Sequence, residues 1–138
     1  MADAPYVEVQ GLVKWFGPDR AVDDVSFGVP KGNFLTLLGP SGCGKTTTLM
    51  SIAGLHGIDA GQIRVGGVVY TAPAHGHFLP PEKRDIGMVF QSYAIWPHMT
   101  VAQNVAYPLE IRSVACSEID ARVADVLQLV GLTEMANK

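Results

Sequence analysis

The clearest chemistry in the sequence lies in "GPSGCGKT", residues 39–46, which fits the pattern G-x-x-x-x-G-K-[ST] at every fixed position. A triphosphate is a dense cluster of negative charge, and glycines let backbone N–H groups turn towards it without side-chain clashes. Lys45 would place a positive charge on the β- and γ-phosphates, and the Thr46 hydroxyl is a hard oxygen ligand suited to Mg²⁺. The pattern therefore predicts a nucleoside triphosphate site.

The segments on either side of this glycine loop have the composition that the motif requires. "FLTLL" (34–38) is nearly all apolar, which predicts a central strand covered on both faces. "KTTTLMSIAGL" (45–55) predicts a helix whose positive end would face the phosphates. Because a strand–loop–helix context confirms the motif, a chance glycine-rich turn is the weaker interpretation.

Further strands are predicted from alternating or continuous apolar residues. The predictions are strands at 6–13 and 21–29, paired antiparallel and joined by 14–20; a hairpin at 61–71 that turns at Gly66 and Gly67; a loop at 72–84; and a short buried strand at 85–90.

A second helix is predicted to begin at Thr100, because Gln103 follows three residues later in a capping-box pattern. It would cover residues 100–109 and end at Pro108, since proline removes a backbone donor inside a helix.

A third helix is predicted at 117–132, with Ser117 and Asp120 repeating the capping pattern. Its apolar residues fall on one helical face, and Gly131 is a plausible C-terminal cap.

Composition limits the class of protein. The 138 residues suffice for one domain, and 48% hydrophobic with 17% charged residues is a globular composition. A net charge of −3 argues against a nucleic-acid partner. We see no apolar stretch of about 20 residues and no secretory signal at the start. A disulfide through Cys43 would distort the glycine loop, so we expect a reducing, cytosolic setting.

Two motifs together, "GPSGCGKTTTLMSIAGL" and "GMVFQSYAIWPHMTVAQNV", give the chain a specific resemblance to the ATP-binding subunits of ABC transporters. It is most similar to those of bacterial importers, from about residue 6 to its end. The resemblance implies an α/β fold of the P-loop NTPase class, with a RecA-like core and an N-terminal antiparallel β subdomain. It implies that residues 1–138 are the N-terminal portion of one nucleotide-binding domain that lacks its C-terminal half. The β subdomain and phosphate-loop core would occupy about 1–91, and the glutamine loop and start of a helical subdomain about 92–138.

The resemblance also implies roles for single residues. Phe16 would stack on adenine; it is assigned this position, and the neighbouring Trp15 is not, because Phe16 directly precedes Gly17. Ala21 would lie near the base or ribose. Gln91 would reach Mg²⁺ and the attacking water. Taken alone, Phe16 could be a core aromatic and Gln91 a solvated turn residue.

The complete predicted set combines the motif with these implied contacts. The nucleotide contacts are Phe16, Ala21, Gly39, Pro40, Ser41, Gly42, Cys43, Gly44, Lys45, Thr46, Thr47 and Gln91; Lys45 and Gln91 are the catalytic residues, and Thr46 and Gln91 are the Mg²⁺ ligands of the ATP complex.

Large apolar residues in "SYAIWPHMTV" (92–101) indicate either a docking surface or packing under the following helix. The resemblance implies that residues from Tyr93 to Val101 contact a membrane-spanning permease subunit. It further implies a head-to-tail dimer with a second ATP-binding subunit, peripheral on the cytoplasmic face of the bacterial inner membrane. His75, His77 and His98 are not favoured as metal ligands, because no cysteine or carboxylate completes a set.

The sequence departs from the family by what it lacks. The signature Leu-Ser-Gly-Gly-Gln, the apolar strand ending in Asp-Glu and the switch histidine do not occur. We therefore expect the first part of a longer subunit, which binds nucleotide but hydrolyses little alone. An alternative is a non-catalytic nucleotide-binding or docking module.

The resemblance implies that the full-length protein hydrolyses ATP to drive solute uptake. The solute would be ferric iron, a polyamine or a related ion, with sugar importers a similar alternative. Another P-loop enzyme is less favoured, because a GTPase would need an Asn-Lys-x-Asp element, which is absent.

Overall fold

The computed structural model describes residues 4–138, and the chain divides into two compact units. The first unit ends at Met88 and the second spans Val89–Lys138. Each unit has its own apolar cluster. Within residues 4–138, every helix is too short or too polar to cross a lipid bilayer.

An antiparallel sheet dominates the first unit. Its strands are β1 (Val7–Phe16), β2 (Asp19–Val29), β3 (Ala60–Val65), β4 (Val68–Ala72) and β5 (His77–Phe78), in the spatial order β2-β1-β3-β4-β5. The helix α1 (Lys45–Ala53) interrupts the strands in sequence between β2 and β3. Buried side chains from four of the strands, including Val9, Leu12, Val22 and Ile63, form the core.

The predicted strand pairs are confirmed. β1 and β2 pair antiparallel, with Val7 opposite Val29, and Gly66 and Gly67 form the turn between β3 and β4. The connection between β1 and β2 is shorter than predicted, because most of residues 14–20 continue the two strands and leave only Gly17 and Pro18 between them.

Two predicted strands are wrong for this structure. Residues 34–38 and 85–90 have no strand partner among the described residues. Phe34 and Leu38 are 93% and 95% exposed, where burial on both faces was expected. A continuous apolar run becomes a central strand only when neighbouring strands satisfy its backbone groups. The described residues supply no such neighbours, since the sheet continues through other strands.

The second unit contains α2 (Val101–Ile111) and α3 (Cys116–Leu129), which bury Ala106, Ile119, Val123 and Leu127 between them. The predicted capping box at the start of α2 is confirmed: the Thr100 hydroxyl accepts the Gln103 N–H, and the Gln103 side chain accepts the Thr100 N–H. The prediction that Pro108 ends this helix is wrong. An exposed proline costs one helical N–H bond, and the helix continues past it.

The predicted cap of α3 is also wrong. The helix begins one residue before Ser117, its N-cap is Ala115, and no side chain caps it. The Ile119 N–H instead closes the first turn on the Ala115 carbonyl. At the other end Gly131 follows the C-cap Val130 with a φ of 70°, so the prediction of a glycine cap is confirmed.

Candidate nucleotide site

The glycine loop meets the start of α1 in a conformation that leaves the helix end open. Gly42 and Gly44 have φ angles of 81° and 91°, a region in which other residues are strained. Gly44 is the N-cap of α1, no side chain caps the helix, and its first turn has no acidic residue. The uncapped N–H groups and the positive end of the helix dipole therefore suit an anion.

Strand β2 lies directly beside this loop. A Cβ added to Gly44 would collide with the carbonyl oxygen of Ala21 and lie 3.1 Å from Cγ2 of Val22. The predicted phosphate-binding residue Gly44 and the predicted base or ribose contact Ala21 are thus neighbours in space.

The Lys45 side chain folds over the loop that precedes it. Its Nζ donates to the carbonyl oxygens of Gly39 at 2.8 Å and Pro40 at 2.6 Å, and lies 3.4 Å from Sγ of Cys43. Neutral carbonyls are weaker partners for an ammonium group than charged phosphate oxygens. The side chain is therefore held at the loop by bonds that a phosphate can replace.

A cavity of about 520 Å³ opens between β2 and the loop. It is lined by Arg20, Ala21, Val22, Asp23, Val25, Thr36, Leu37, Leu38, Gly42, Cys43, Gly44, Lys45 and Thr48. The volume falls within the usual range for small-molecule sites, ~300–1,000 Å³. The cavity brings together Ala21 and four predicted residues of the loop.

The other predicted loop residues lie close by in sequence but outside this lining. Gly39, Pro40 and Ser41 are exposed, and Thr46 and Thr47 belong to the first turn of α1. The Thr46 hydroxyl is exposed and has no hydrogen bond to another described residue. A free hydroxyl beside the glycine loop has the hard-oxygen chemistry that Mg²⁺ prefers.

Phe16 ends β1 and is 45% exposed, against 43% for its neighbour Trp15. The Phe16 ring meets the His56 ring edge-on, with 5.4 Å between centroids, while the Arg20 guanidinium lies 5.2 Å from the centroid of Trp15. Neither aromatic ring lines the cavity. Exposure does not separate the two rings, so stacking of Phe16 on adenine stays a prediction.

Gln91 belongs to the second unit, where its side chain is exposed and has no hydrogen bond to another described residue. Tyr93, Ile95 and Trp96 follow it and are also exposed. Tyr93 and Ile95 are 90% and 66% exposed, whereas the Trp96 ring meets the Tyr107 ring of α2 with 5.7 Å between centroids.

Asn104 of α2 binds the backbone of this segment, a role that the spacing of residues in the sequence does not predict. Its Oδ1 accepts the Trp96 N–H at 2.7 Å, and its Nδ2 donates to the carbonyls of Trp96, Met99 and Thr100 at 3.0–3.1 Å. One amide on α2 thereby fixes the backbone below the exposed Trp96 ring. An asparagine inside a predicted helix is the only sequence signal.

Sequence reasoning also missed three charged residues of the first unit. Arg20 and Asp23 line the cavity and form an ion pair of 2.8 Å, and their position beside Ala21 could have suggested them. Arg84 is buried, and its place between a polar loop and an apolar run gave no indication of that.

Comparison with known proteins supports the family resemblance of the sequence. The ABC transporter family model matches residues 22–138. The chain is 54% identical to the trehalose/maltose import ATP-binding protein MalK of Thermococcus litoralis over 96% of its own length and 36% of that protein. It is 47% identical to the spermidine/putrescine import ATP-binding protein PotA of Pseudomonas aeruginosa over 97% of its length and 35% of the relative. The chain thus spans about a third of the curated relatives that it matches.

Proposed function

Since this chain belongs to the ABC transporter family, we propose that it forms the first part of a nucleotide-binding domain and binds Mg·ATP between β2 and the glycine loop. The observation that carries the proposal is the cavity that joins Ala21 to Gly42, Gly44 and Lys45. The positive end of α1, the loop amides and the Lys45 ammonium all favour the same class of ligand, a polyphosphate.

Each predicted residue has a part in this proposal. The loop amides and Lys45 hold the phosphates, the Thr46 hydroxyl and the Gln91 amide oxygen ligate Mg²⁺, and Phe16 stacks on adenine. Gln91 also orients the attacking water in the full-length protein. The exposure and free hydrogen-bonding groups of Thr46 and Gln91 support these two assignments.

The full-length protein, in this proposal, hydrolyses ATP to drive solute uptake and works as a head-to-tail dimer on the cytoplasmic face of the inner membrane. The exposed segment around Tyr93–Val101 docks on a membrane-spanning permease subunit. The named functions of the relatives support import, and they include both a sugar and polyamines. The proposal therefore covers solute import without a choice between these solute classes.

The 138-residue chain itself should bind nucleotide and turn over little, because the sequence contains no signature and no Asp-Glu strand. The test is calorimetric titration of the purified chain with Mg·ATP and with Mg·GTP, together with an assay of phosphate release. We expect saturable binding of Mg·ATP with phosphate release at background. Absence of saturable binding in a folded chain would contradict the proposal for this half-site, and steady hydrolysis would contradict the inactivity of the chain.

A further inference from the structure

The guanidinium of Arg84 lies inside the first unit, only 5% exposed, without a carboxylate partner among residues 4–138. Buried arginines are ordinarily paired with an acid, because an uncompensated charge is costly to bury. Burial lowers the pKa of Arg84 from its ordinary value, yet an arginine remains charged near neutral pH. Its charge must therefore be balanced by the dipoles around it.

One set of these dipoles is formed by carbonyl groups at the carboxyl end of α1. The Arg84 Nη1 donates to the carbonyl oxygens of Ser51 at 2.9 Å and Ile52 at 2.6 Å, both in the last turn of the helix. The carboxyl end of a helix carries partial negative charge and unpaired carbonyls, which an arginine satisfies well.

The same guanidinium also binds the sheet. Its Nη2 donates to Oγ1 of Thr71 at 2.8 Å and reaches the carbonyl of Tyr70 at 3.4 Å, both in β4. Its Cζ lies 5.2 Å from the ring centroids of both Tyr70 and Phe78. Arg84 is thus a brace with one side on the phosphate-loop helix and the other on the antiparallel sheet.

This end of the helix is held by Arg84 and by the partly buried Ile52, which packs against the apolar core of the sheet, while the rest of the helix adds little buried bulk. Its buried residues are Thr48, Ser51 and Ala53, all small, while Leu49 is exposed. At 1.5 Å per residue the nine-residue helix is about 14 Å long, so a tilt of about 10° at one end moves the other end by about 2 Å. A shift of that size is large for a site that must meet a ligand at hydrogen-bond distance.

The proposed nucleotide site is divided between the two parts that Arg84 joins. The phosphate contacts lie on the loop and on α1, whereas Phe16 and Ala21 lie on β1 and β2 of the sheet. A bound ATP must span both parts, but an inorganic polyphosphate needs the loop alone. We propose that Arg84 is a positioning residue. It holds the phosphate-loop helix against the sheet in the position that lets one nucleotide reach both the glycine loop and the sheet.

This inference rests on the proposed function, and its test compares Mg·ATP with Mg·tripolyphosphate. The variant is Arg84→Met, with Lys83→Met as the control that removes a charge from the exposed neighbouring residue. We expect Arg84→Met to lower the affinity ratio of ATP to tripolyphosphate about tenfold, the size of a lost base contact. Lys83→Met should leave the ratio within about twofold of the wild-type ratio.

The ratio separates positioning from two simpler effects. Loss of a positive charge weakens the binding of tripolyphosphate at least as much as the binding of ATP. Partial unfolding weakens the binding of both ligands alike, so neither effect lowers the ATP-to-tripolyphosphate affinity ratio. Thr71→Val and Arg84→Lys remove only part of the brace, and they provide the test if Arg84→Met does not fold. We expect a ratio two- to fivefold lower in these variants, on the order of one weakened hydrogen bond.

The possible outcomes are distinct. A folded Arg84 variant whose affinity ratio equals the wild-type ratio would overturn the inference. The proposed function would stand in that case, because it depends only on the binding of Mg·ATP by the wild-type chain. A wild-type chain that binds Mg·ATP no more tightly than Mg·tripolyphosphate would overturn the base-binding half of the proposed function, and the inference with it.

Discussion

Gly44 lies so close to the carbonyl oxygen of Ala21 that no side chain fits between them. This contact joins the glycine loop to β2, and both residues line the candidate nucleotide cavity. The first turn of α1 begins at the next residue, Lys45, so the contact also fixes where the positive end of the helix lies. The shape of the site therefore depends on one position that has no Cβ.

Gly44→Ala should destabilise the first unit and weaken nucleotide binding. The φ of 91° is strained for alanine, and the new methyl would push the loop away from Ala21. We expect a loss of more than about 1–2 kcal/mol in the free energy of unfolding, measured by urea denaturation. Gly57→Ala is the matched control, because its Cβ would meet open space and its φ is not positive. Equal stability of the two variants would contradict the contact.

Phe16→Ala should make the free energy of Mg·ATP binding less favourable by about 1–3 kcal/mol and leave that of Mg·tripolyphosphate unchanged. Only ATP carries a base on which the Phe16 ring can stack. Trp15→Ala is the control, since the neighbouring ring is equally exposed and contacts Arg20. Calorimetric titration of both variants distinguishes the two rings. If Trp15→Ala alone shows the selective loss, the assignment of Phe16 is wrong.

Thr46→Val should weaken binding of ATP only when Mg²⁺ is present. Valine keeps the shape of threonine and removes the hydroxyl, so we expect a loss of about 1.5 kcal/mol, roughly tenfold in affinity. Titrations with Mg·ATP and with ATP in EDTA give the comparison within one variant. A similar loss under both conditions would show that the hydroxyl contacts phosphate, or supports the loop, and does not ligate the metal ion.

Asn104→Ala should loosen the segment that carries Trp96, because four hydrogen bonds to its backbone are lost. With Trp15→Phe as the background, Trp96 is the sole tryptophan, and its quenching by acrylamide reports its exposure. We expect stronger quenching in Asn104→Ala and no change in Gln128→Ala, a truncation of an exposed amide on α3. Unchanged quenching in both would contradict the bracing role of Asn104.

The sequence predicted the parts of the structure that local interactions determine. The glycine loop, the start of α1, the hairpin at Gly66 and Gly67 and the capping box at Thr100 each depend on residues a few positions apart. They could be predicted because turn geometry and capping are properties of short segments.

The missed strands, Arg84 and the contact between Gly44 and Ala21 have non-local causes, whereas the wrong helix boundaries at Pro108 and Ser117 are local misses. Residues 34–38 and 85–90 have the composition of buried strands, but a strand needs partners, and the described residues provide none. Arg84 and Asn104 bind backbone groups that no pattern of spacing indicates; for Arg84 one of these, Ser51, is 33 residues away. The contact between Gly44 and Ala21 likewise depends on how the loop packs on β2.

Lys45 carries the positive charge proposed to bind the phosphates, so the most direct measurement is a titration of the purified chain and its Lys45→Ala variant with Mg·ATP. The ammonium group, now on the carbonyls of Gly39 and Pro40, should transfer to the phosphates, and its loss should weaken binding about 10- to 100-fold. Lys83→Ala controls for net charge. Selective loss in Lys45→Ala is the predicted result, whereas equal affinity in all three proteins would contradict the assignment of the glycine loop as the phosphate site.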